Sequence, residues 1–116
     1  MPDPIQDPKA PTSAIELLVR NHPGTMSHIT GLFSRRGFNM EAIVCVPVDG
    51  GAESRILLLV PDEPRLEQVE RQLVKLYDVI ELRLRPDLGP GFFAGISDLM
   101  GPEPGGARRA SGLHWS

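Results

Sequence analysis

The order of apolar segments predicts an α+β domain of the ferredoxin-like βαββαβ type, a four-stranded antiparallel sheet with two helices on one face. Three observations carry this. Four short runs read as strands, two segments space their apolar residues helically, and those helices follow the first and third strands. Right-handed crossovers then leave few other arrangements.

Residues 14–20, AIELLVR, alternate: Ile15, Leu17 and Val19 share one face, Glu16 and Arg20 the other. Met26, Ile29, Leu32 and Phe33 recur at helical spacing, giving a helix from Thr25 to Arg36 that Gly37 stops. Residues 40–48, MEAIVCVPV, are the second strand, and Asp49-Gly50-Gly51 signals a hairpin. Residues 54–60, SRILLLV, are apolar on both faces and therefore central. Pro64 suits a first helical turn, Leu66, Val69, Leu73 and Leu76 form a stripe, and Glu67 with Arg71 makes an i,i+4 pair. Ile80, Leu82 and Leu84 alternate with Glu81, Arg83 and Arg85 as the fourth strand.

Proline and glycine mark the borders. Residues 1–12 hold four prolines, and residues 86–116 hold four prolines and seven glycines. Both segments offer little apolar surface to offset chain entropy, so a disordered N-terminal segment (1–12), an ordered domain (13–85) and a mostly disordered tail (86–116) are expected. Phe92 and Phe93 could anchor on a partner, but a tail with a few apolar residues is the simpler expectation.

A net charge of −3 and a pI near 5.5 argue against nucleic-acid binding. One cysteine, Cys45, allows no internal disulfide and fits a reducing, cytoplasmic location. The N-terminus has no signal-peptide pattern, and no apolar run is long enough to span a membrane. Cys45 is expected to be buried as a small hydrophobe. His22 and His28 lack a cysteine or carboxylate cluster, so a loop histidine and a surface-helix histidine are expected, with no metal.

The second strand falls at the sheet edge and is apolar. Such an edge invites pairing, and the simplest cover is the same strand of a second copy, a two-fold dimer. Between the first strand and the first helix lies the corner Asn21-His22-Pro23-Gly24. A helix N-terminus offers unpaired amides and partial positive charge, so the backbone near Gly24, Thr25 and Met26 suits a carboxylate. Asn21 can offer a donor and an acceptor to a polar ligand. A free amino acid has the matching groups. On the corner alone, an ordinary strand-to-helix turn capped by Asn is the somewhat better explanation.

The longer stretches VRNHPGTMSHITGLFSRRGFNMEAI (19–43) and RLEQVERQLVKLYDVIEL (65–82) resemble the small regulatory subunit of acetohydroxyacid (acetolactate) synthase, built on an ACT domain. The resemblance covers roughly 14–85 and fits the short, single-ACT form. It implies a chain without catalytic activity that binds and activates the catalytic large subunit. It also implies feedback inhibition by branched-chain amino acids, valine above leucine and isoleucine. Thiamine diphosphate, Mg and FAD are implied only for the catalytic subunit. The effector would lie between two ACT domains, with Asn21, His22, Pro23, Gly24, Thr25 and Met26 from one corner and Asn39 and Met40 from the partner chain. Met26, Met40 and Ile43 are the candidate apolar lining, and ordinary core packing explains each of them about as well.

Other functions fit less well. A stand-alone ACT sensor with a different partner would share the corner. An acylphosphatase shares the topology, but NHPGTM is no glycine-rich phosphate cradle. An RNA-recognition module needs aromatic residues on its central strands, and AIELLVR and SRILLLV have none. A metal chaperone would need Cys-x-x-Cys in the first loop.

Overall fold

The computed structural model describes residues 11–102, 105, 106 and 108. Its elements are β1 (Thr12–Arg20), α1 (Thr25–Arg35), β2 (Ala42–Val48), β3 (Glu53–Pro61), α2 (Leu66–Leu73), β4 (Val79–Leu84) and α3 (Pro90–Leu99). The strands form one sheet in the order β2-β3-β1-β4, and every neighbouring pair is antiparallel. This is the expected ferredoxin-like arrangement, with β3 and β1 central and β2 at an edge.

The period-2 pattern of β1 becomes its packing. Ile15, Leu17 and Val19 are essentially inaccessible and meet Ile56, Leu58 and Val60 of β3. Ile29, Leu32 and Phe33 of α1 and Leu66, Val69 and Leu73 of α2 close over them. Fully burying each such side chain is worth about 1.5–3 kcal/mol. Phe38 packs edge-on against Phe33 at 5.9 Å between ring centres. The Glu67–Arg71 ion pair forms on the exposed side of α2.

Three expectations need correction. A register shift between Leu18 and Val19 breaks the alternation of β4, so Val79 is buried while Ile80 is 40% exposed. Cys45 is exposed rather than buried, because it lies on an edge strand that neither helix covers. Residues 90–99, expected to belong to a disordered tail, form α3. Phe92, Phe93, Ile96 and Leu99 recur at helical spacing and Pro90 occupies the first turn, a local pattern that the glycine-rich composition of the whole segment hides. Residues 1–10, 103, 104, 107 and 109–116 of the expected disordered ends lie outside the described residues.

Pro47 sits inside β2, opposite Ser54. A residue without an N–H is tolerated there because one side of β2 has no ladder to complete. Asp49, Gly50 and Gly51 join β2 to β3 in a tight turn with φ of 51°, 71° and 96°. Two of the three are glycine, which reaches such angles without a steric penalty. Among the described residues, no helix is long and apolar enough to cross a membrane.

Candidate functional site

β1 ends where its side chains turn back into the sheet. The Arg20 amide donates to Asp78 O at 2.8 Å and its Nη1 donates to Tyr77 O at 2.7 Å. The Arg20 guanidinium also lies over the Tyr77 ring, 4.9 Å from its centre. The Asn21 amide donates to Ala52 O at 3.0 Å and its Nδ2 donates to Gly51 O at 2.8 Å. The corner is thereby tied on one side to the start of β4 and on the other to the β2–β3 turn.

The turn itself closes with the Thr25 amide donating to His22 O at 3.2 Å. Gly24 has φ 93° and ψ −11°, the values of the third position of a type II turn, where glycine is required. Pro23 occupies the second position, where its fixed φ fits. Thr25 is buried; its hydroxyl donates to Arg20 O at 2.8 Å and accepts from the His22 amide. The Thr25 hydroxyl and amide therefore close the turn and are not free donors. Gly24, Met26 and Ser27 differ: no acceptor for their amides is found among the described residues, and α1 has no side-chain cap. All three residues are exposed, so these donors belong to a helix N-terminus at the surface, which follows Asn21 in the chain. Because Asn21 Nδ2 is engaged, its Oδ1 remains as an acceptor.

Met26 is 37% exposed beside these amides. Asn39, Met40 and Ile43 are elsewhere in the same chain. Ala42 pairs with Leu59 and Leu59 with Ala14, whereas Val48 pairs with Glu53 and Glu53 with Arg20. The start of β2 and the corner are therefore at opposite ends of the sheet, about 20 Å apart along the strands. Asn39 is exposed, Met40 packs against the core, and Ile43 is partly exposed. One protomer does not bring Asn39 to its own corner.

Asp78 is the residue that sequence reasoning missed. Its carboxylate is buried, its Oδ1 accepts from His22 Nε2, and its Oδ2 accepts from His28 Nδ1 at 2.6 Å. His22 Nδ1 donates to Pro23 O at 2.8 Å. The bond to the Pro23 carbonyl, and then the bond to Asp78, hold His22 above the usual histidine range against the opposing Arg20 charge. His28, and less strongly His22, hold Asp78 below the usual carboxylate range although burial pushes it up. Both rings approach the carboxylate to hydrogen-bond distance. Among the described residues, no group of three or more His, Cys, Asp or Glu side chains could hold a metal. No local signal marks Asp78. Antiparallel pairing of β1 with β4 is what places the residue before β4 beside Arg20, the last residue of β1, and within reach of His22.

On the sheet face away from α1 and α2, Val44, Val46, Val48, Leu57, Leu88 and Phe92 line a cavity of about 270 Å³. Arg55 and Arg85 reach its rim, but both pair with Glu16, at 3.3 and 2.5 Å, and Arg85 also pairs with Asp87 at 2.8 Å. Burial pushes Glu16 up, yet the two guanidinium groups outweigh it and leave the carboxyl below its usual range. The cavity is consequently apolar, with its rim charges already matched.

Comparison with known proteins agrees with this geometry. The family described as AHAS small subunit-like ACT domain matches residues 15–81. The chain is 52% identical over 69 residues to the acetolactate synthase isozyme 1 small subunit of Escherichia coli K12, covering 60% of this chain and 72% of that one. It is 41% identical over 78 residues to the isozyme 3 small subunit of the same organism, covering 66% and 46%. The crystal structure of an acetolactate synthase small subunit from Thermotoga maritima superposes with a TM-score of 0.59 at 32% identity, covering 66% of this chain and 48% of that one.

Proposed function

Since the chain belongs to the family of AHAS small subunit-like ACT domains, we propose that it is a non-catalytic regulatory subunit. In this reading it binds and activates the catalytic subunit of acetohydroxyacid synthase in the cytoplasm. It also carries feedback inhibition by branched-chain amino acids, valine foremost. Thiamine diphosphate, Mg and FAD stay with the catalytic subunit.

The observation that carries the effector site is the set of unpartnered amides at Gly24, Met26 and Ser27 beside the free Oδ1 of Asn21. Amides at a helix N-terminus suit the carboxylate of an amino acid. Asn21 Oδ1 suits its ammonium, and Met26 offers an apolar contact for the side chain. The second half of the site comes from a second copy. Two antiparallel β2 edges bring the start of one strand alongside the end of the other. Asn39, Met40 and Ile43 of the partner then approach this corner across the distance that separates them within one chain.

The mechanism is linkage. Ligand bound between two protomers favours one arrangement of the dimer, and the catalytic subunit responds to that arrangement. The effect is limited by the difference in affinity for the two arrangements. The direct test is synthase activity with and without this chain, titrated with valine, leucine and isoleucine. Activation by the chain, reversed by valine, is expected. Activity that ignores both the chain and the amino acids would overturn the reading.

A further inference from the structure

His22 is bonded in a way that fixes its charge. Nδ1 faces the carbonyl oxygen of Pro23 at 2.8 Å, and Nε2 faces the carboxylate of Asp78. Neither partner has a proton to give while Asp78 is ionised, so both ring nitrogens must donate. An imidazole donates from both nitrogens only as the cation. A neutral His22 would lose one of the two bonds.

The bond to Pro23 also fixes the orientation of a peptide. In the type II turn His22–Thr25, the central peptide joins Pro23 C=O to Gly24 N–H. The peptide is trans, so its carbonyl and amide point in opposite directions. Type I and type II turns differ by a flip of that central peptide. Drawing the Pro23 oxygen toward the His22 ring aims the Gly24 amide the other way, away from the ring. Freed from the ring, the peptide can flip and withdraw the donor.

Resting on the effector reading above, we infer that His22, held as an imidazolium by Asp78, is the positioning residue that aims the Gly24 amide at the carboxylate of the effector. The groups facing His22 are few. Asp78 precedes β4, the Tyr77 ring lies tilted by 44° with its centre 6.4 Å from that of His22, and Arg20 ends β1. His28 of α1 shares the Asp78 carboxylate. The His22 imidazole is a group that changes charge near neutrality. Effector affinity is therefore greatest where His22 is protonated and falls as pH rises through its folded-state value.

The test uses the full chain. Long-range ¹H–¹⁵N spectra of the imidazoles, with no ligand present, should show both His22 ring nitrogens protonated above the pH where a free histidine becomes neutral. The Gly24 amide resonance should move with the same midpoint. Calorimetry with valine from about pH 6 to about pH 8.5 should then show affinity falling about tenfold, as expected for loss of one charge-assisted hydrogen bond. His22→Gln should flatten that profile. Asp78→Asn should do the same, and His22→Gln serves if the buried change disturbs folding. A neutral His22 tautomer at pH 7, a Gly24 amide indifferent to the His22 titration, or a flat valine profile in the unaltered protein would each overturn the inference. Failure to take up valine at any pH, with His22 and Gly24 still titrating together, would instead remove the effector reading and leave the latch standing.

Discussion

Asn21 Nδ2 donates to the carbonyl oxygen of Gly51 across 30 residues of sequence, at 2.8 Å, and this bond leaves the Asn21 Oδ1 as the acceptor of that side chain. The same side chain thus braces the corner and supplies its acceptor. Asn21→Ala removes both roles and should weaken valine binding about tenfold or more, the loss of a hydrogen bond to a charged group. Calorimetry checks this, with circular dichroism to confirm that the domain remains folded.

Gly24 adopts φ 93°, where any side chain is strained by about 1–2 kcal/mol. Gly24→Asp should lower the melting temperature by several degrees without unfolding the domain. It should also abolish valine binding, because it places a carboxylate where the ligand's own is expected. Gly24→Ala carries comparable strain without the charge and should retain more of the affinity.

Stability should depend on pH through the Asp78 cluster. Asp78 is depressed in the folded state, so its contribution is present above its ordinary value near 3.8 and is lost as pH falls through the lower folded value. His22 is raised, so its contribution is complete below its ordinary value of 6.5 and is lost as pH rises through the higher folded value. The urea midpoint should therefore peak between those limits and decline on both sides. In His22→Gln the alkaline decline should shrink.

Cys45 is exposed at the midpoint of the seven-residue edge strand. Two copies paired antiparallel about that point bring each Cys45 close to its counterpart. Cys45→Lys would then set like charges against each other across the new ladder. Sedimentation should show a dimer for the unaltered chain at micromolar concentration and a shift toward monomer for Cys45→Lys.

Phe92 lines the cavity on the open sheet face, yet α3 contributes no buried residue. Phe92→Ala should leave the melting temperature nearly unchanged. If this face meets the catalytic subunit, the same change should reduce recovery of that subunit in a pull-down and reduce activation.

Much of the fold is legible in the sequence because its periods are clean. Ile15, Leu17 and Val19 alternate without interruption, and α1 and α2 carry unbroken stripes. Ile80 misleads because the bulge opposite Leu18 and Val19 is a property of pairing, not of the β4 sequence. Cys45 misleads because an apolar residue on an edge strand resembles one in a core. The corner is visible as Asn-x-Pro-Gly, since turn chemistry is local. Asp78 is not visible: its partners His22 and His28 are 56 and 50 residues away, and only the assembled sheet joins them.

That separation has a kinetic consequence. The corner is complete only after β1 has paired with β3, to bring Gly51 to Asn21, and with β4, to bring Asp78 to His22. Contacts of such long reach carry a loop-closure cost that must be met before they can form. A ligand that grips a feature absent from the folding transition state lengthens the life of the folded molecule and leaves its rate of formation alone.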